Sequence, residues 1–419
     1  MRTPIKAGCA VLITCAAMWP APPANPTELP ASPGLIAWVE QTLSQNPELQ
    51  AAAASAEAVR ARLAGADRPL YNPELEFEYE RSDIDLATAE LLQPLDWHGK
   101  RAARKRLADV SLTAALAEYD ALRERLAGEL LSVLAEHQGS HAKAALAARQ
   151  VALLRRFADV AEQRSQAGDL GQVEVELAQL AYVEGEMAAA GDKAALANAV
   201  DALYRVSGAA EVPKQRLPEV PPETLPKSSA EGELAVRHPA VRAARARAQV
   251  AGVAVRRADI DRRADPTIGV KGGREDEEVL IGLRLTIPLQ VRNDFRAEVD
   301  AARNASAQAS YTAAQTERQT LAAVNAAQQR YGGLLRAWQI WEHKGRGTLE
   351  ARMQLLERLW HVGELSTTDY LVQLKQSLET ESAGLTLQRE LWQGWIAWLR
   401  AVGQVQIWLG LDSRRGDEQ

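Results

Sequence analysis

The sequence predicts a mainly α protein with a small β part. Long antiparallel helices build one protomer of an α-helical barrel, and four strands are contributed to a transmembrane β-barrel shared between chains. Three observations carry this. Landmarks recur in the same order along the chain, two stretches near the landmarks alternate residue by residue, and two very long stretches lack proline altogether.

The recurrence comes first. Asn46-Pro47 returns as His238-Pro239, Asp67-Arg68-Pro69 as Ala264-Asp265-Pro266, and Gln93-Pro94-Leu95 as Ile287-Pro288-Leu289. Ala167-Gly168-Asp169-Leu170 returns as Val362-Gly363-Glu364-Leu365, and Leu203 to Gly208 resembles Val405 to Gly410. A near-constant offset across five landmarks is a tandem duplication of a unit of roughly 190 residues. The expected division is an export segment 1–24, a first repeat 25–211, a Pro-rich linker 212–226, a second repeat 227–411 and a polar tail 412–419.

Within a repeat, Asn46 is a good N-cap and Pro47 a good first helical residue, so a helix runs to about Ala66. Strands follow over 72–95. Leu75, Phe77 and Tyr79 alternate with Glu74, Glu76, Glu78 and Glu80, which gives one apolar and one acidic face. In the second repeat the hairpin spans 266–288. A short strand Thr267 to Lys271 and a charged turn Arg274 to Glu278 precede Val279, Ile281, Leu283, Leu285 and Ile287, which alternate with Leu280, Gly282, Arg284 and Thr286. An ordinary edge hairpin of a soluble domain would share this pattern. A row of glutamates opposite Leu, Phe and Tyr suits lipid on one side and a water-filled lumen on the other, with Glu74, Glu76, Glu78, Glu80 and Arg284 facing the lumen. Four strands cannot close a membrane barrel, and an open edge in lipid is excluded, so several chains must share one.

From His98 to Gln166, and again from Asn293 to His361, no proline occurs. Apolar residues from Leu112 to Val133 recur at three- and four-residue steps, so each stretch reads as one helix of about 100 Å. Gly168 and Gly363 turn the chain, and shorter helices return over about Gln172 to Arg205 and Thr367 to Trp408. The helix hairpins span 98–208 and 293–408.

The N-terminus reads as an export signal: Arg2 and Lys6, an apolar stretch Gly8 to Trp19, then small residues Ala21 to Ala24. Both cysteines, Cys9 and Cys15, lie inside it, so its removal leaves no cysteine and no disulfide is expected; neither follows a good lipobox, which argues against a lipid anchor. Net charge is −6 with no basic footprint, which argues against nucleic-acid binding. No nucleophile elbow, phosphate loop or metal-ligand cluster occurs, so neither an enzyme nor a cofactor or metal site is expected. His137 and His141 stand four apart on a helix, a spacing that can serve a metal but more commonly serves packing. Trp338, Trp341, Trp360, Trp392, Trp395, Trp398 and Trp408 are read as fillers between helices, and Trp97 as a residue near the membrane interface.

These landmarks resemble the TolC family of trimeric outer-membrane efflux proteins across about residues 33–411. Within it, Gln93-Pro94-Leu95-Asp96-Trp97-His98-Gly99-Lys100-Arg101 is similar to the heavy-metal (cobalt–zinc–cadmium) branch, where Gly-Gly-Lys-Arg is usual and His98 here replaces the first Gly. The resemblance implies a homotrimer with a twelve-stranded barrel in outer-membrane lipid and a helical tunnel in the periplasm. It also implies a periplasmic adaptor (membrane fusion) protein, an inner-membrane pump of the resistance–nodulation–division type, and heavy-metal cations as cargo. It further implies that an acidic residue six positions after each turn glycine narrows the periplasmic entrance, which here means Glu174 and Asp369. Asp169 and Glu364 lie beside the same turns, and Leu365 replaces the family's arginine two positions after the second glycine. The competing reading is a soluble periplasmic coiled-coil adaptor or scaffold.

Overall fold

A computed structural model of the chain describes residues 31–81, 85–208, 214–222 and 236–411. The expected export segment 1–24 and tail 412–419, the turn residues 82–84, and parts of the linker and of the start of the second repeat lie outside the described residues. The first half holds α1 (Pro33–Gln45), α2 (Pro47–Ala66), β1 (Glu74–Arg81), β2 (Asp85–Pro94), α3 (Lys100–Gln166) and α4 (Gln172–Ser207). The second holds α5 (Pro239–Asp261), β3 (Thr267–Glu275), β4 (Glu278–Thr286), α6 (Arg296–Ile340), a π-helical turn (Trp341–Gly345), α7 (Arg346–His361), α8 (Thr367–Val402) and α9 (Val405–Trp408).

The Pro-led helices start as their sequence requires. Asn46 Oδ1 accepts from the N–H of Glu48 at 2.9 Å and of Leu49 at 3.2 Å. In the second half His238 Nδ1 takes this role, accepting from Ala240 N–H at 3.1 Å. With 67 residues, α3 is about 100 Å long. Its two internal glycines have a packing reason. A Cβ at Gly128 would lie 2.5 Å from the Arg400 stem, and one at Gly139 2.5 Å from the Arg389 stem. The two arginines of α8 therefore cross α3 where it has no side chain.

Along its upper half α3 lies between α2 and α5, with α6 beyond α5; along its lower half it lies between α4 and α8, with α6 and α7 beyond α8. The sheet runs β1-β2-β3-β4, all antiparallel. At every level the first half supplies one free edge and the second half the other. Ion pairs stitch α5 to its neighbours: Arg242 to Asp120 at 3.8 Å, Arg245 to Glu317 at 2.7 Å, and Arg247 to Glu118.

The largest core sits at the waist. Leu35, Val39 and Leu43 of α1 pack there with Leu126, Leu130 and Leu134 of α3 and with Tyr331, Trp338, Trp392, Trp395, Trp398 and Trp408. Linker residues 214–222 strap across it. Tyr331 Oη donates to Pro222 O at 2.5 Å, and Gln388 donates to Glu219 O at 2.8 Å. The tryptophans do fill space between helices, as expected. Trp395 is fully buried, 5.4 Å from Tyr331 and stacked on Trp398 at 5.1 Å.

Three expectations need correction. First, β3 continues past Lys271 to Glu275, with Gly272 and Gly273 paired to Ala89 and Thr88 of β2; at Gly273 the approach is so close that a Cβ would lie 2.2 Å from Ala87 O. The turn therefore shrinks to Asp276-Glu277, with Asp276 at φ 52° and its carboxylate accepting from Asp85 N–H at 3.0 Å. Second, the long helix of the second half starts at Arg296 and is not continuous. The Trp341 ring lies over Gly345 and Gly384, where added Cβ atoms would sit 2.4 and 2.5 Å from it, and the helix widens into a π turn at that point. Third, the returning helix stops at Gly403 (φ 68°) rather than running to Trp408. The chain restarts as α9 because the buried Glu124 carboxylate accepts from Val405 N–H at 2.6 Å and Gln406 N–H at 3.1 Å.

Candidate functional site

Two ends of the molecule carry the candidate residues. At the sheet, the register places Glu74, Glu76, Glu78 and Glu80 on one face with Thr88, Glu90, Lys271 and Arg284. Arg284 thus shares the glutamate face, as the alternation predicts. Lys271 Nζ lies 2.8 Å from Glu78 Oε2, and Arg284 Nη2 lies 2.9 Å from Glu90 Oε2. Acidic groups still outnumber basic ones on this face, so it favours cations in the water beside it. The opposite face carries Leu75, Phe77, Tyr79, Val279, Ile281, Leu283 and Leu285, all exposed, with Leu283 at 87%. An apolar surface of this extent calls for lipid or protein against it.

At the junction of sheet and helices the structure assembles a cluster that sequence reasoning missed. Asp265 accepts from Tyr71 Oη at 2.7 Å and lies 3.0 Å from Lys100 Nζ and 3.5 Å from His98 Nδ1. Burial would raise its pKa, but the Tyr71 and Lys100 donors outweigh that and hold the carboxyl below the usual range. Burial and the neighbouring carboxylate push Tyr71 up to about 12. Beside it, Asp96 accepts from the N–H groups of Lys100 and Arg101 at 2.6 and 2.8 Å, capping α3. Arg104 donates to the carbonyls of Gly65, Ala66 and Arg68, capping the end of α2. The segment Gln93 to Arg101 therefore has a local structural role. Its signal was the echo of Asp67-Arg68-Pro69 in Ala264-Asp265-Pro266. Trp97, just past the sheet, is 71% exposed.

The other end holds the helix turns. Gly168 (φ 81°) and Gly363 (φ 79°) both adopt the left-handed conformation. Beyond them Asp169 N–H donates to Arg164 O, and Glu364 N–H to Leu359 O, both at 2.9 Å. This is the glycine-dependent helix ending. Glu174 is the third residue of α4, and its carboxylate accepts from Gly171 N–H at 2.7 Å. Asp369 is the third residue of α8; its carboxylate accepts from Ser366 Oγ at 2.7 Å, while its own N–H donates to that Oγ at 3.1 Å. The Ser366–Asp369 pair is reciprocal, whereas Gly171 has no side chain and Glu174 caps its helix alone. The carboxylates stand at the helix N-termini, where the dipole favours negative charge. Asp169, Glu364 and Asp369 are exposed, whereas Glu174 is half-buried. Leu170 and Leu365 pack instead against a cluster of Phe157, Trp360 and Tyr370, with Trp360 stacked on Tyr370 at 4.9 Å.

His137 and His141 lie with ring centres 6.2 Å apart beside Lys214 and Arg216, and burial lowers the pKa of His137. Among the described residues no three His, Cys, Asp or Glu side chains converge to hold a metal, and no helix is long and apolar enough to cross a membrane.

Residues 38–209 match the family model described as outer membrane efflux protein. Solved structures share the fold along most of the chain. A membrane protein from Pseudomonas aeruginosa aligns at TM-score 0.75 and 16% identity, covering 89% of this chain and 91% of that one. CusC, a protein described as undergoing conformational changes during folding and transmembrane channel formation, aligns at 0.74 and 15%, covering 90% and 93%. The outer membrane protein VceC from Vibrio cholerae aligns at 0.70 and 19%, covering 88% and 96%. No curated protein sequence matches. Residues 38–209 are thus similar to the outer membrane efflux protein family, and the chain shares the fold of these solved structures along most of its length.

Proposed function

We propose that the chain is one of three identical protomers of the exit duct of a tripartite efflux system. It receives cargo from an inner-membrane pump of the resistance–nodulation–division type through a periplasmic adaptor. The observation that carries this is the matched pair of free edges. β1 and α2/α4 end one side and β4 and α6/α7 the other, so head-to-tail copies can close a ring. In lipid the strand edges must be closed in this way. The soluble adaptor or scaffold reading is not favoured, because it leaves the broad exposed apolar face of the sheet without purpose. The cargo is heavy-metal cations, a reading supported by the segment Gln93 to Arg101 and compatible with the acidic face of the sheet.

Glu174 and Asp369, with Asp169 and Glu364 beside them, form carboxylate rings that narrow the periplasmic entrance. Their mutual repulsion and their attraction for cations set how the entrance rests and opens. The test is single-channel conductance in planar bilayers. Glu174→Ala with Asp369→Ala should raise it, and Glu174→Gln with Asp369→Asn should do so while keeping the caps. An unchanged conductance in both variants would sink the gate. Failure of the wild-type protein to form any pore would sink the duct.

A further inference from the structure

A cavity of about 520 Å³ opens over α3 between α2 and α5. Three arginines line it: Arg62, Arg104 and Arg257. Each stands about one turn from the helix end that leads into the sheet. No acidic side chain is among the residues that line the cavity. Arg257 pairs with Asp261 at 3.0 Å. Among the described residues, Arg62 and Arg104 have no carboxylate within ion-pair distance. Arg104 spends one terminal nitrogen on the α2 carbonyls, while its Nε is buried without an acceptor. A buried donor of this kind is costly unless something accepts from it. Val59 and Leu107 give the cavity an apolar wall, and Ser111 adds a hydroxyl.

Three arginines on one cavity, with a spare donor among them, suit a phosphate oxyanion, which guanidinium groups bind through paired N–H donors. The apolar wall suits what a phospholipid attaches to that phosphate, and in a duct standing in a bilayer this level is that of the headgroups on the helix side. We propose that this cavity binds a phosphate oxyanion, that of an anionic phospholipid headgroup, through Arg62, Arg104 and Arg257. The inference rests on the duct reading for the position of the membrane, not for the site itself.

The test is native mass spectrometry of the whole purified protein, titrated with phosphatidylglycerol, phosphatidylcholine or inorganic phosphate. Arg104 is left intact because it holds the end of α2. Phosphatidylglycerol should bind in preference to phosphatidylcholine, and Arg62→Gln with Arg257→Gln should weaken it about 30-fold, at roughly one basic side chain's worth of attraction each. Arg62→Lys with Arg257→Lys should restore part of the loss. If inorganic phosphate binds as tightly, with the same dependence on the arginines, the oxyanion site stands and its ligand is the soluble anion. Equal binding of phosphatidylcholine, or no effect of the glutamine variants, overturns the proposal. Bilayer conductance of the same preparation keeps the two readings apart. A conducting protein without arginine-dependent phosphate binding refutes this site alone, whereas a non-conducting one refutes the duct.

Discussion

Deleting the Asp265 carboxylate should loosen the joint between sheet and helices. Its side chain is 4% exposed and that of its partner Lys100 15%. Taking one member from a buried pair costs about 3–5 kcal/mol. Because Lys100 keeps some contact with water and His98 is partly exposed, the lower end applies, and Asp265→Ala should cost about 3 kcal/mol. Tyr71→Phe removes one hydrogen bond to a charged group and should cost about 1.5 kcal/mol. The two side chains share a 2.7 Å bond, so the double variant should show a coupling of about 1 kcal/mol rather than simple addition. The assay is the urea midpoint of the protein folded into lipid vesicles, followed by fluorescence of its ten tryptophans. A loss under about 0.5 kcal/mol for Asp265→Ala, or strict additivity with Tyr71→Phe, would refute the joint as a coupled unit. The pH dependence has a definite sign. The folded pKa of Asp265 lies below the ordinary aspartate value of 3.8. Its contribution is therefore present in full above about pH 4 and is lost as pH falls through the folded value. The Asp265→Ala variant should lack that acid-side loss.

Ile281→Arg places a charge on the apolar face of β4 and should cost about 2–4 kcal/mol of folding into vesicles, whereas Leu280→Arg on the acidic face should cost far less. Equal effects on the urea midpoint would mean that the faces are misassigned. Glu124→Ala leaves the buried N–H groups of Val405 and Gln406 without an acceptor and should destabilise by about 1–3 kcal/mol, with faster proteolysis of the C-terminal segment as a second readout. Gly384→Ala drives a methyl into the Trp341 ring and should cost about 1–3 kcal/mol in the same titration, a loss that Trp341→Leu in the same chain should largely relieve.

Much of this architecture was legible in the sequence because its signals are local and periodic. Alternation at period two set the faces of β1 and β4, and the register then put Arg284 beside the glutamates without further information. Asn46-Pro47 announced its helix through its own cap, and Gly168 and Gly363 announced their turns through the conformation only glycine readily takes. What stayed hidden depends on distant partners. The π turn needs Trp341 to meet Gly384 of the next helix, and the break at Gly403 is secured by Glu124, 281 residues away from Val405. The length of β3 was masked because glycine weakens a strand on average, whereas Gly273 sits where a neighbouring backbone leaves no room for more. Glu174 and Asp369 show a limit of another kind. The family resemblance implies a place at the entrance, but their position as third residues of their helices also makes them capping residues, and charge-specific substitutions separate the two roles.

The aromatic cluster at the helix turns has a mechanical consequence. Phe157 comes from the first half, and Trp360 and Tyr370 come from the second. At the corresponding places the first half has Ser165 and Val175, and the second half has Arg352 in place of Phe157. The clasp can therefore form only in one direction, from the first hairpin to the second hairpin of the same chain. A ring of such chains has two kinds of seam in alternation: riveted ones within each chain, and plain ones where one chain meets the next. In the ring proposed above, strain should therefore part the plain seams first, so that the tip opens in as many leaves as there are chains, not as many as there are hairpins.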